Sequence, residues 1–76
     1  MARTFKQGAL IYGAKAQRMD IRLDLDNYCG GLCCGQCLEV LFDGRWIPTR
    51  IEMADDWYLV DVPTRDLVGL RVRIPV

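Results

Sequence analysis

Seventy-six residues, half of them apolar, with ten acidic side chains balancing ten basic ones, allow one small core and no second domain, and give no net attraction to phosphate. No apolar run approaches the ~18 residues that span a bilayer, and the Met1–Lys6 lead-in is too short and polar for a secretory signal, so a cytoplasmic protein without a membrane role is expected. Histidine and serine are both absent, which removes Ser-His and Cys-His nucleophilic pairs, imidazole acid–base chemistry and histidine metal ligation; the chain is expected not to be an enzyme.

Residues 1–7 read as a flexible lead. Gly8–Tyr12 is a short apolar run, and Met19, Ile21, Leu23 and Leu25 alternate with Asp20, Arg22, Asp24 and Asp26 at the period of two that marks a half-buried strand. The polar stretch Gly13–Arg18 joins these two strands and is too short for a stable helix. Residues 26–36, with glycines, Asn27 and three cysteines, read as a long exposed Gly/Cys-rich loop. Leu38, Val40 and Phe42 then share one face, and Asp43-Gly44 supplies the positive φ angles of a tight hairpin turn. The return strand is Arg45–Met53, with Ile47, Thr49, Ile51 and Met53 on one side and Trp46, Pro48, Arg50 and Glu52 on the other. Pro48 implies an edge or a bulge, because it cannot donate to a ladder. Trp57–Val60 predicts a fifth strand and Leu70–Ile74 a sixth, separated by Pro63–Gly69, a loop with a short helical turn.

Five to six short antiparallel strands with tight turns predict an all-β domain, a small SH3-like barrel; an OB-like barrel is the alternative, although its strands and helix need more residues. The chain also resembles a family of short, stand-alone bacterial proteins of unknown function, found in Gram-positive gut bacteria and often on phage or other mobile elements. The residues that carry this are Asp20-Ile21, Tyr28 with Gly30-Gly31-Leu32, Cys34-Gly35, Glu39-Val40, Trp46–Met53, Asp56–Val60 and Val72–Ile74, so the likeness covers about Gly8 to Ile74. Within it Cys29, Cys33 and Cys37 are departures, Cys33 standing where the family often has histidine. The resemblance implies an accessory or anti-defence role rather than a chemistry. The string Asp43–Ile51 is similar, more distantly, to the Asp-Gly hairpin and following strand of Tudor-type barrels.

Cys29, Cys33, Cys34 and Cys37 fall within nine residues and invite zinc, since thiolates at two-residue spacing can grip one ion. The spacing is half a site: Cys33 and Cys34 are adjacent and point opposite ways in extended chain, so a fourth ligand has to come from Asp26, from another carboxylate or from a second copy of the chain. Cys34-Gly35-Gln36-Cys37 has redox spacing, but a strand rather than a helix N-terminus follows it. The simplest expectation is free thiols in a reducing compartment, with Cys34 tucked inward, and no cofactor.

The large aromatics outnumber what so small a core can enclose, and exposed aromatics of SH3-like and Tudor-like barrels line grooves for proline-rich or methylated-cation ligands. The leading expectation is therefore a non-catalytic module, monomeric or homodimeric, that docks a protein through Trp46, Arg50, Tyr28, Gly30, Gly31 and Leu32. The alternatives are nucleic-acid binding through Arg18, Arg22, Arg71 and Arg73, and a zinc-stabilised structural role through the cysteine loop. Arginine outnumbers lysine eight to two, which suits geometric recognition.

Overall fold

A computed structural model describes residues 4–75, and the alternating segments all become strands. In chain order these are β1 (Phe5–Gly13), β2 (Arg18–Asp24), β3 (Asn27–Tyr28), β4 (Cys37–Phe42), β5 (Arg45–Met53), β6 (Trp57–Leu59) and β7 (Arg71–Pro75), all antiparallel, in one open sheet ordered β3-β2-β1-β7-β4-β5-β6. The all-β, barrel-like fold matches expectation, with seven strands where five to six were read. No helix is present among the described residues, and none is therefore long and apolar enough to cross a membrane. The Asp43-Gly44 turn forms as read, with φ of 52° and 79° at its two central residues.

β1 serves two ladders. Its Ala9–Gly13 half pairs with Arg22–Arg18 of β2, its Phe5–Ala9 half pairs with Pro75–Arg71 of β7, and Ala9 belongs to both. Phe5–Gln7 are consequently strand rather than flexible lead, because β7 supplies them with main-chain partners; residues 1–3 of that lead lie outside the described residues. At the handover the backbones crowd. A Cβ on Gly8 would lie 2.1 Å from the Arg22 carbonyl oxygen and 2.8 Å from its carbon, so only glycine fits.

The Gly/Cys-rich segment is loop for most of its length, with seven of its eleven residues exposed, yet its main chain is tied to both sides of the sheet. It contributes β3, then follows β2 as the amides of Cys29 and Leu32 donate to the carbonyls of Ile21 and Met19 at 3.0 and 2.8 Å. It next crosses to β5, where the Gly35 amide donates to the Ile51 carbonyl at 2.7 Å and the Ile51 amide donates to that of Gln36 at 3.1 Å. The continuous strand order leaves the sheet open between its β3-β2 and β5-β6 ends, and this crossing ties those ends together. Gly30 and Gly31, both at φ 102°, bend the chain so that Leu32 inserts its side chain into the core with no exposure. Leu32 joins Leu10, Ile21, Val40, Ile51 and Val72 there.

The helical turn expected within Pro63–Gly69 does not form. Val62 and Leu67 are both buried, so the chain is spread across the end of the sheet to reach the core twice instead of coiling locally.

Gly8→Ala is expected to destabilise the fold by about 3 kcal/mol or more, since the added methyl meets backbone that cannot yield. Leu32→Ala is expected to cost ~2–5 kcal/mol as an ordinary core truncation. Urea unfolding followed by tryptophan emission measures both; a change under about 0.5 kcal/mol, the size of a surface substitution, at either position contradicts the packing described.

Candidate functional site

Side chains of one outward-facing register line up across neighbouring strands. Arg22 on β2 is level with Ala9 on β1, Ala9 with Arg71 on β7, and Tyr28 on β3 with Arg22. One step beyond the Val40–Val72 pair, Leu41 on β4 comes level with Arg71, and Leu41 pairs with Trp46 on β5. The result is a transverse stripe in the order Tyr28, Arg22, Ala9, Arg71, Leu41, Trp46. Tyr28 is 47% and Leu41 37% exposed, both arginines are exposed, and Ala9 leaves a low floor between them. With strands about 4.8 Å apart, the Arg22 and Arg71 backbones stand about 10 Å from each other.

The arginines differ in what they touch. Arg73 and Glu39 are direct cross-strand partners, and Nη2 and Nε of Arg73 approach Glu39 Oε1 at 2.7 and 2.8 Å. The same guanidinium lies 4.2 Å from the ring centroids of both Phe5, diagonal to it on neighbouring β1, and Trp46, which reaches it from β5 across β4. Arg73 is thereby committed within the fold and is not an open phosphate contact. Trp46 is half-buried, with one face covered by Arg73, so the free aromatic face that a methylated cation or proline needs is already occupied there. Arg50 forms an ion pair with Glu52 at 2.9 Å. The hydrogen bond that Arg50 donates to Glu52, and then the Glu52 charge, raise the Arg50 pKa above its ordinary value, against a smaller lowering by desolvation and with minor support from Cys37 and Tyr58. Among the described residues no ion pair engages Arg22 or Arg71; Arg22 only reaches the Leu25 carbonyl at 3.4 Å.

The residues expected to form one protein-contact surface are divided. Tyr28 sits on the β3 side and Trp46 on β5, with β2, β1, β7 and β4 between them. Arg50 is level with Cys37, four residues along β5 from Trp46, and so lies outside the Leu41–Trp46 row. Gly30 and Gly31 shape the bend, the Gly30 amide donating to Asp20 Oδ1 at 3.1 Å. Leu32 is core and cannot contact a partner, because the double-glycine bend turns it inward.

The cysteines also separate. All four are free; Cys29 is half-buried against the core, whereas Cys33, Cys34 and Cys37 are exposed. The inward cysteine is thus Cys29 and not Cys34, because the chain beside β2 follows the sheet while Cys34 occupies a turn. Burial first, and then the Asp20 charge, push the Cys29 thiol pKa up, against a smaller opposing effect of Lys6. Among the described residues no three cysteine or carboxylate side chains gather as a metal site, so Cys29, Cys33, Cys34 and Cys37 do not form the zinc cluster their spacing invited. An open cleft of about 550 Å³ lies between Tyr58 and the Asp61–Arg65 segment, a feature with no motif in the sequence.

A family model described as a domain of unknown function, DUF5348, matches residues 8–74. A crystal structure of a protein from Ruminococcus gnavus, a Northeast Structural Genomics Consortium target, is 50% identical and superposes with a TM-score of 0.84 over 90% of this chain and 99% of that one. No match was found among curated proteins.

Arg73→Ala is expected to lower stability by about 1–3 kcal/mol, through loss of the Glu39 pair and both ring contacts, and to shift Trp46 emission to the red as its covered face meets water. Arg73→Lys should recover only part, lacking the planar group that fits between two rings. Thermal unfolding with fluorescence detection checks this; an Arg73→Ala protein with unchanged midpoint and emission would falsify the clamp.

Proposed function

The chain belongs to the DUF5348 family, and from that premise we propose that it is a non-catalytic binding module that docks a protein partner on the outer face of its sheet. The observation that carries this reading is the stripe itself: two exposed arginines without acidic partners among the described residues, separated by a small floor and flanked by Tyr28 and Leu41. Tyrosine and arginine concentrate binding energy at protein interfaces because they combine large apolar area with directional polar groups. The partner presents acidic side chains around an apolar one, the acidic groups meeting Arg22 and Arg71 and the apolar group resting on Ala9.

A protein suits this surface better than a nucleic acid. Arg73 is consumed within the fold. On β2 the outward positions run Arg18, Asp20, Arg22, Asp24, so acidic groups flank Arg22 where a continuous phosphate chain would have to pass. The sequence's lack of histidine and serine favours recognition over chemistry. The resemblance to proteins of phage and mobile elements favours an accessory or anti-defence role, exercised in the cytoplasm.

The test uses the isotope-labelled protein and two probes, a glutamate-rich peptide containing one leucine and a single-stranded oligothymidylate of similar charge. The peptide is expected to shift the amide signals of Tyr28, Arg22, Ala9 and Arg71, with the effect lost in Arg22→Glu/Arg71→Glu and retained in Arg50→Gln. Binding of the oligonucleotide at those residues in preference to the peptide, or peptide shifts centred elsewhere, overturns the reading.

A further inference from the structure

Three exposed thiols lie within five residues, Cys33 and Cys34 in a tight turn and Cys37 at the start of β4, and the proposed docking stripe uses none of them. The Gln36 amide donates to the Cys33 carbonyl at 3.0 Å and Gln36 Oε1 accepts from the Cys33 amide at 3.2 Å, so a main-chain and a side-chain hydrogen bond both close the turn. Its bonds to Ile51 anchor it on β5. The turn therefore presents its cysteines from a defined frame.

One of the three thiols meets a guanidinium directly, and a second has an arginine, itself paired with Glu52, level with it across the ladder. The stem of Arg18 passes over Gly31, where an added Cβ would lie 2.8 Å from Arg18 Cδ, and its Nη1 reaches Cys33 Sγ at 4.0 Å. Cys37 is the direct cross-strand partner of Arg50. Cys34 is equally exposed, yet no guanidinium hydrogen bond among the described residues reaches it. Cys29 is half-buried. Reactive cysteines occupy exposed, electropositive surroundings, because the attacking species is the anion and a neighbouring cation favours it.

We propose that Cys33 and Cys37 are sites of covalent modification by low-molecular-weight disulfides. In the step a cysteine thiolate attacks one sulfur of the small disulfide, the new protein–ligand S–S bond forms and the old S–S bond breaks. The other half departs as a thiolate and takes a proton from water, so the protein sulfur is oxidised and the departing half reduced. Arg18 and Arg50 are the positioning residues, each acting on one cysteine. Cys34 separates the effect of charge from that of exposure, and Cys29, whose thiol burial keeps protonated, reports unfolding.

The experiment treats the folded, reduced protein with hydroxyethyl disulfide, whose neutrality removes attraction of the reagent to arginine, and quantifies each modified cysteine by peptide mapping over time. Cys33 and Cys37 are expected to react about threefold or more faster than Cys34, with Cys29 protected until denaturant is added. Arg18→Gln should slow Cys33 alone and Arg50→Gln should slow Cys37 alone, each rate taken relative to Cys34 in the same molecules so that any loosening of the turn cancels. Cys34 keeping pace with the other two, or either arginine variant leaving its own cysteine's relative rate unchanged, overturns the proposal.

Discussion

The handover of β1 from β7 to β2 at Gly8–Ala9 is the constraint on which the rest of the architecture depends. One strand satisfies its main-chain groups against β2 along one half and against β7 along the other, and Ala9 pairs with both. This handover joins the β3-β2 side of the sheet to the β7-β4-β5-β6 side. It requires the Arg22 carbonyl to come where a side chain at residue 8 would begin, which glycine alone permits. Because side-chain direction alternates along a strand, the same handover determines which residues face outward together on β2, β1 and β7.

Two further devices complete a core that so short a chain could not otherwise enclose. From inside, Leu32 enters from the cysteine segment, whose main chain bonds first to β2 and then to β5. From outside, Arg73 holds Phe5, Trp46 and Glu39, and so links β1, β7, β4 and β5 across their exposed face. Neither device is a hydrophobic run, and both serve to close a small sheet whose edges β3 and β6 are only two and three residues long. Short edges also offer little for another chain's strand to pair with, which leaves the outer face as the surface on which recognition is built.

That outer face divides labour among chemically identical groups. Arg50 and Arg73 neutralise carboxylates of the same molecule, while Arg22 and Arg71 have no such partner among the described residues. A comparable division holds for the cysteines, one set against the core and three exposed on a turn and the strand that follows it. In both cases the residue type states what chemistry is possible, and the neighbour across the strand decides whether it is free to act.

The alternation of Met19, Ile21, Leu38, Val40, Ile51 and Val72 with polar residues determined the strands and most of the core, and Asp43-Gly44 determined the hairpin, since period-two burial and positive φ are local properties of the chain. Local patterning could not show that the double glycine turns Leu32 inward, that Phe5–Gln7 find partners on β7, or that Val62 and Leu67 draw their segment out of a helical turn. Each depends on chain remote in sequence. The candidate site was legible only as residue types. Tyr28, Arg22 and Arg71 are visible as an aromatic and two cations, but their alignment through Ala9, the inclusion of Leu41 and the withdrawal of Arg73 and Trp46 into a clamp follow from cross-strand register, which tertiary pairing alone decides.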